Sequence, residues 1–80
     1  MTSSPHIYTN AERARRAGQA LRAYRDCTGD SGTSVDEDVI DMLCDLRHYC
    51  DRLDLDFGHC DRIAYRNYLD ELTEEKAGGR

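Results

Sequence analysis

Apolar residues recur at helical spacing in three windows of the 80-residue chain, and no window alternates with the two-residue period of a strand. In the first window Ala11, Ala14, Ala17, Leu21 and Tyr24 fall on one helical face. In the second, Val39, Leu43, Leu46 and Cys50 form a stripe, widened by Ile40, Met42 and Leu53. In the third, Cys60, Ile63 or Ala64, Tyr68 and Leu72 are expected to face inward, with Tyr65 and Leu69 widening the stripe. The spacing predicts helices over 10–27, 35–52 and 57–74.

The residues at the helix starts agree with these windows. T-N-A-E at 9–12 and S-V-D-E at 34–37 both fit a capping box: the hydroxyl accepts from the amide three residues on, and the glutamate reaches back. Three acids, Asp36, Glu37 and Asp38, stand in the first turn of the second helix, where the helix dipole favours them. T-G-D-S-G-T-S at 28–34 reads as a loop, and L-D-L-D at 53–56 as a compact turn with Asp56 capping the third helix. Residues 1–8 read as a loose arm and 75–80 as a frayed tail. The expectation is a single all-α domain over 1–80: three helices, the last two forming an antiparallel hairpin. The first helix packs across the hairpin or mediates dimerisation through its alanine face. Gly18 weakens that helix by about 1 kcal/mol relative to alanine and is read as a place where another helix can approach.

Composition sharpens this picture. The chain is 39% hydrophobic and 34% charged, with one proline and no tryptophan. A chain of this length buries little core, so either a homodimer or a chain used within a complex is expected. No apolar leader and no membrane-length apolar run is present, so the chain is read as soluble and cytoplasmic. Its four cysteines are then expected to be thiols.

The net charge of −5 is unevenly placed. Residues 1–25 carry Arg13, Arg15, Arg16, Arg22 and Arg25 against Glu12, a net of +4; the rest of the chain nets −9. Arg13 and Arg16 lie near the positive end of the first helix, an unfavourable place that suggests an acidic neighbour inside or outside the chain.

The densest chemistry lies at 44–57, C-D-L-R-H-Y-C-D-R-L-D-L-D-F. Cys44, His48, His59 and Cys60 supply a countable zinc set, but no close C-x2-4-C pair exists, and adjacent His59 and Cys60 diverge by about 100° on a helix. Cys44, Cys50 and Cys60 are instead read as small core or boundary residues. A calcium loop starting at Asp54 lacks glycine at its sixth position and glutamate at its twelfth. Cys44 with His48 and Asp41 or Asp45 has the residue types of a nucleophilic site, on a short helix with little room for a cleft. No phosphate-binding glycine loop is present. No enzyme activity, metal or cofactor is expected.

Asp38, Asp41, Asp45 and Asp51 run along one side of the second helix. Carboxylates three and four residues apart stand about 5–6 Å from one another, comparable to neighbouring phosphates on a nucleic-acid strand. Such a face suits a basic groove built for nucleic acid. Replacing all four with asparagine is expected to abolish binding and leave the helix folded. Direct nucleic-acid binding is the competing reading. It would use Arg13, Arg15, Arg16, Arg22 and Arg25, because the third helix mixes Arg62 and Arg66 with Asp61, Asp70 and Glu71. Given the acidic balance it is not expected.

The segments D-L-R-H-Y-C-D at 45–51, L-D-F at 55–57 and D-R-I-A-Y-R-N-Y at 61–68 resemble a group of small proteins carried by phages and mobile elements. Leu46, His48, Tyr49, Cys50, Leu55, Phe57 and Tyr65 match that pattern. The resemblance covers about residues 36–72; the arginine-rich first helix departs from it. In size, acidity and lack of a cofactor the chain is similar in kind to anti-CRISPR proteins. That likeness implies a non-enzymatic inhibitor binding a host CRISPR effector subunit through Asp38, Asp41, Asp45 and Asp51. The alternative is a small DNA-binding or accessory regulator of a mobile element. A third is an antidote or adaptor for an unrelated protein.

Overall fold

The computed structural model describes residues 8–29 and 32–78. It contains α1 (Asn10–Thr28), α2 (Val35–Arg52) and α3 (Phe57–Gly78), with no strand among the described residues. The fold is all-α, as the periodicity predicts, and the first two helix ranges agree to within a residue. The loose arm expected at 1–8 lies outside the described residues apart from Tyr8. The tail expected from 75 is helical through Gly78. Its E-E-K-A run favours helix, and the Thr73 hydroxyl donates to the Leu69 carbonyl one turn back at 3.0 Å.

Each helix start carries its sequence-predicted cap. Thr9 Oγ1 accepts from the Glu12 amide at 3.1 Å, while the Thr9 amide donates to the Glu12 carboxylate at 2.8 Å. Ser34 and Glu37 repeat the box at α2. Asp56 accepts from the His59 amide at 3.1 Å. Helix α1 ends at Gly29, whose φ of 71° lets its amide close on the Arg25 carbonyl at 3.1 Å.

The turn between α2 and α3 is a Schellman closure with aspartate where glycine is usual. Asp54 adopts φ 59°. Its amide donates to the Asp51 carbonyl at 3.2 Å, and the Leu55 amide reaches the Cys50 carbonyl at 2.8 Å. These bonds reverse the chain within four residues and fold α3 back from the end of α2 at an open angle. Arg47 then stacks its guanidinium 4.4 Å above the Phe57 ring at the closed end of the hairpin.

Helix α1 holds the open end of the hairpin apart. Near its start, the Asn10 side-chain amide donates to the Glu71 carbonyl at 3.2 Å, and Arg13 pairs with the Glu71 carboxylate at 3.2 Å. Near its end, Arg25 meets Asp38 and Tyr24 meets Asp45. From Asn10 to Arg25 is about 22 Å of helix. The beginning of α2 and the end of α3 are therefore splayed by roughly that length, and the three helices pack pairwise near their ends.

This arrangement leaves little interior. Among the described residues only Cys50 and Asp38 are buried. Leu21, Met42, Phe57, Ile63 and Leu72 are half-buried. Of the residues expected to face inward on α3, Cys60, Ala64 and Tyr68 are exposed. An added Cβ at Gly18 would meet only the Arg22 side chain, at 3.7 Å, so no close helix approach depends on that glycine. Among the described residues no helix is long and apolar enough to cross a membrane.

Candidate functional site

The four aspartates expected to act together are placed in three different environments. Asp38 is buried, with 6% of its surface exposed, and it ties α1 to α2. Its Oδ2 lies 2.9 Å from Arg25 Nε and its Oδ1 accepts from the Thr33 hydroxyl. The buried Nε meets the carboxylate at an angle too poor for a hydrogen bond, so the attraction is chiefly coulombic. The Arg25 Nη2 also donates to the Thr33 carbonyl at 2.8 Å. Asp38 thus belongs to the fold rather than to an exposed acidic face. It is set apart from Asp41 by the turn of the helix and by the arginine that α1 brings to it.

Asp45 is exposed but engaged: the Tyr24 hydroxyl donates to its Oδ2 at 2.7 Å. That bond, with desolvation and the charges of Asp45 and Asp41 behind it, pushes the Tyr24 pKa up from 10.0 to about 12. Asp41 and Asp51 are exposed, and among the described residues neither side chain carries a hydrogen bond or ion pair. Asp51 lies near the far end of α2, about 120° round the helix from Asp45.

The exposed acids closest to a single row are Glu37, Asp41 and Asp45, each four residues apart and spanning about 80° of the helix. From sequence Glu37 reads as a capping residue and a first-turn acid rather than as part of the row. The four-residue spacing was the signal that would have added it to the row. Its carboxylate does cap: it accepts from the Ser34 amide at 2.9 Å and the Ser34 hydroxyl at 2.9 Å. The first of these bonds is the larger cause of its lowered pKa. Asp36 beside it shares that one hydroxyl proton, with its Oδ1 2.6 Å from Ser34 Oγ, and its pKa is lowered mainly by this bond. The first turn of α2 therefore holds its negative charge into mildly acidic solution.

The arginines of α1 divide likewise. Arg13 is spent on Glu71, with a further bond from Nη1 to the Asn10 side chain at 2.8 Å. Arg25 is spent on Asp38. Arg16 lies 4.4 Å above the Tyr8 ring. Arg15 and Arg22 are exposed, and among the described residues neither carries an ion pair.

Cys44 and His48 are exposed on the same side of α2 as Asp41, and Cys44 lines the hollow around Ile40, Leu43, Arg47 and Phe57. Cys27 and Cys60 are exposed, Cys50 is buried, and all four are free thiols. Among the described residues no three potential metal ligands converge. The larger hollows are lined mainly by apolar side chains: a groove of about 330 Å³ between α1 and α2, and one of about 430 Å³ around Ile40, Leu43, Arg47 and Phe57. Comparison with family models, curated proteins and solved structures finds no match for this chain.

Proposed function

We propose that this chain is a non-enzymatic inhibitor carried by a phage or mobile element. It binds a subunit of a host CRISPR effector complex and obstructs target DNA. It acts in the host cytoplasm, without cofactor or metal. The observation that carries this reading is the row of exposed carboxylates on α2, at Glu37, Asp41 and Asp45, which has no arginine from α1 set against it. Asp51 extends the negative surface toward the hairpin turn. Effector complexes hold nucleic acid in positively charged channels through backbone contacts, and a helix with carboxylates at this spacing competes for the same cations. The likeness in kind to anti-CRISPR proteins supports the choice of target.

The decisive variant replaces Asp41, Asp45 and Asp51 with asparagine and spares Asp38. In an interference assay it is expected to lose inhibition while keeping wild-type helicity. Binding of the wild type is expected to weaken steeply as salt is raised, because exposed charges are screened over about 8–10 Å at physiological ionic strength. Full inhibition by the folded triple variant would refute the acidic-face mechanism.

Arg15 and Arg22, exposed and without an ion pair among the described residues, favour one second reading, a small DNA-binding or accessory regulator. With Arg13 and Arg25 engaged inside the fold, the basic footprint is reduced to Arg15, Arg16 and Arg22. A gel shift with random duplex at low salt separates the readings. Retardation lost on replacing Arg15 and Arg22 would favour the regulator.

A further inference from the structure

We infer that a second copy of this chain covers the apolar stripe of α2 and the groove it forms with α1, giving a closed homodimer.

The apolar surface left open is too large for a self-sufficient domain. The accessible surface is 6681 Å² and the radius of gyration 15.3 Å. A compact monomer of 9.1 kDa would expose about 4,900 Å². Its radius of gyration would be about 12 Å. The excess is roughly 1,800 Å² over the whole chain, both ends included, and the apolar face is one part of it. Even half of that excess exceeds the roughly 800 Å² per partner of a standard interface.

The chemistry of the open surface is that of a core. The α1–α2 groove is lined by Ala17, Gly18 and Leu21 on one side and Val39, Met42 and Leu46 on the other, with no charged side chain. Leu43 stands at its edge with 47% of its surface exposed, and Val39 with 42%. These are the positions whose helical period marks them as a packing face. On α3, Tyr65 and Leu69 are likewise uncovered. The carboxylate row is on another side of α2, and Arg13 and Arg25 pair near the two ends of α1.

The occupant follows from the energetics. With only one buried apolar side chain among the described residues, the fold needs its cover wherever it forms. The one component present at every site of synthesis, in equal number and with a matching apolar face, is the chain itself. A two-fold arrangement sets the same patch against itself and closes, leaving no further edge. It also places the carboxylate row on the outside twice. The inference rests on the apolar surface alone and not on the inhibitor reading.

The test is sedimentation equilibrium of the full chain over micromolar concentrations, with helicity followed in parallel. The expected mass is twice 9.1 kDa. A fully helical monomer at tens of micromolar overturns the inference, as does a larger or open-ended assembly. Leu43→Glu combined with Leu46→Glu is expected to weaken the dimer by two orders of magnitude or more. Asp41→Asn, outside the face, is expected to leave it unchanged. If the glutamate variant also loses its helix, the surface was covered in the native protein, because polar substitutions on open surface are near neutral. If it stays folded and dimerises as tightly as the wild type, this face is not the interface.

Discussion

Arg25→Met is the substitution whose cost the structure defines best. It keeps the aliphatic stem and removes the guanidinium. Two contacts disappear: the 2.9 Å ion pair with Asp38 and the 2.8 Å bond to the Thr33 carbonyl. Asp38 then stays buried with the Thr33 hydroxyl as its remaining donor. Removing one partner of a buried pair costs about 3–5 kcal/mol, chiefly through the charge left behind. Here the Arg25 side chain is 35% exposed, so solvent screens part of the pair, and about 2 kcal/mol is the discounted figure. For a domain of this size that corresponds to a fall in Tm of roughly 8–16 °C. Asp38→Ala is expected to cost less, about 1 kcal/mol, because the orphaned guanidinium can turn to water. The double variant should be no worse than Arg25→Met alone, giving a coupling of about 1 kcal/mol in a double-mutant cycle. Urea denaturation followed by helical circular dichroism, at one fixed protein concentration, measures all four proteins. A cost below about 0.5 kcal/mol for Arg25→Met, the range of an ordinary surface change, would mean that α1 does not dock on α2 as described.

Tyr24 is expected to ionise near 12, with its pKa returning toward 10.0 in Asp45→Asn; tyrosinate absorbance against pH measures this. Because the folded pKa is raised, the stabilisation from this bond is complete below pH 10.0 and is lost as pH rises toward about 12. Asp36 and Glu37 behave in the opposite sense. Their folded pKa values are lowered from 3.8 and 4.5, so their contribution is present above those values and is lost as pH falls through the folded ones. Acid titration of helicity should show this loss. Ser34→Ala should blunt it and cost about 1 kcal/mol in denaturation at neutral pH. Asp54→Gly should stabilise the chain by about 0.5 kcal/mol in the same assay, because glycine takes the left-handed conformation without strain; a loss of stability would contradict the assigned turn.

What the sequence made legible was local. The caps at Thr9, Ser34 and Asp56 act over three residues, so residue type and spacing decide them. The L-D-L-D turn is likewise set by bonds within five residues, between Cys50 and Leu55. What it left hidden was long-range. Asp38 and Asp41 look equivalent by spacing, and only the arrival of Arg25 from another helix makes one structural and leaves the other free. The same holds for Arg13, whose awkward place near a helix start is resolved by Glu71 far along the chain. Periodicity marked the apolar faces of α2 and α3, but it carries no record of what covers them. Tyr68 and Ala64 therefore read as inward yet lie on open surface.

The most direct measurement is capture of host effector complexes by the tagged chain at low salt, with and without target DNA. The acidic-face reading predicts capture of an effector subunit, exclusion of DNA from that subunit, and loss of both when Asp41, Asp45 and Asp51 become asparagine. Capture that leaves DNA binding intact, or no capture at all by a folded protein, would contradict it.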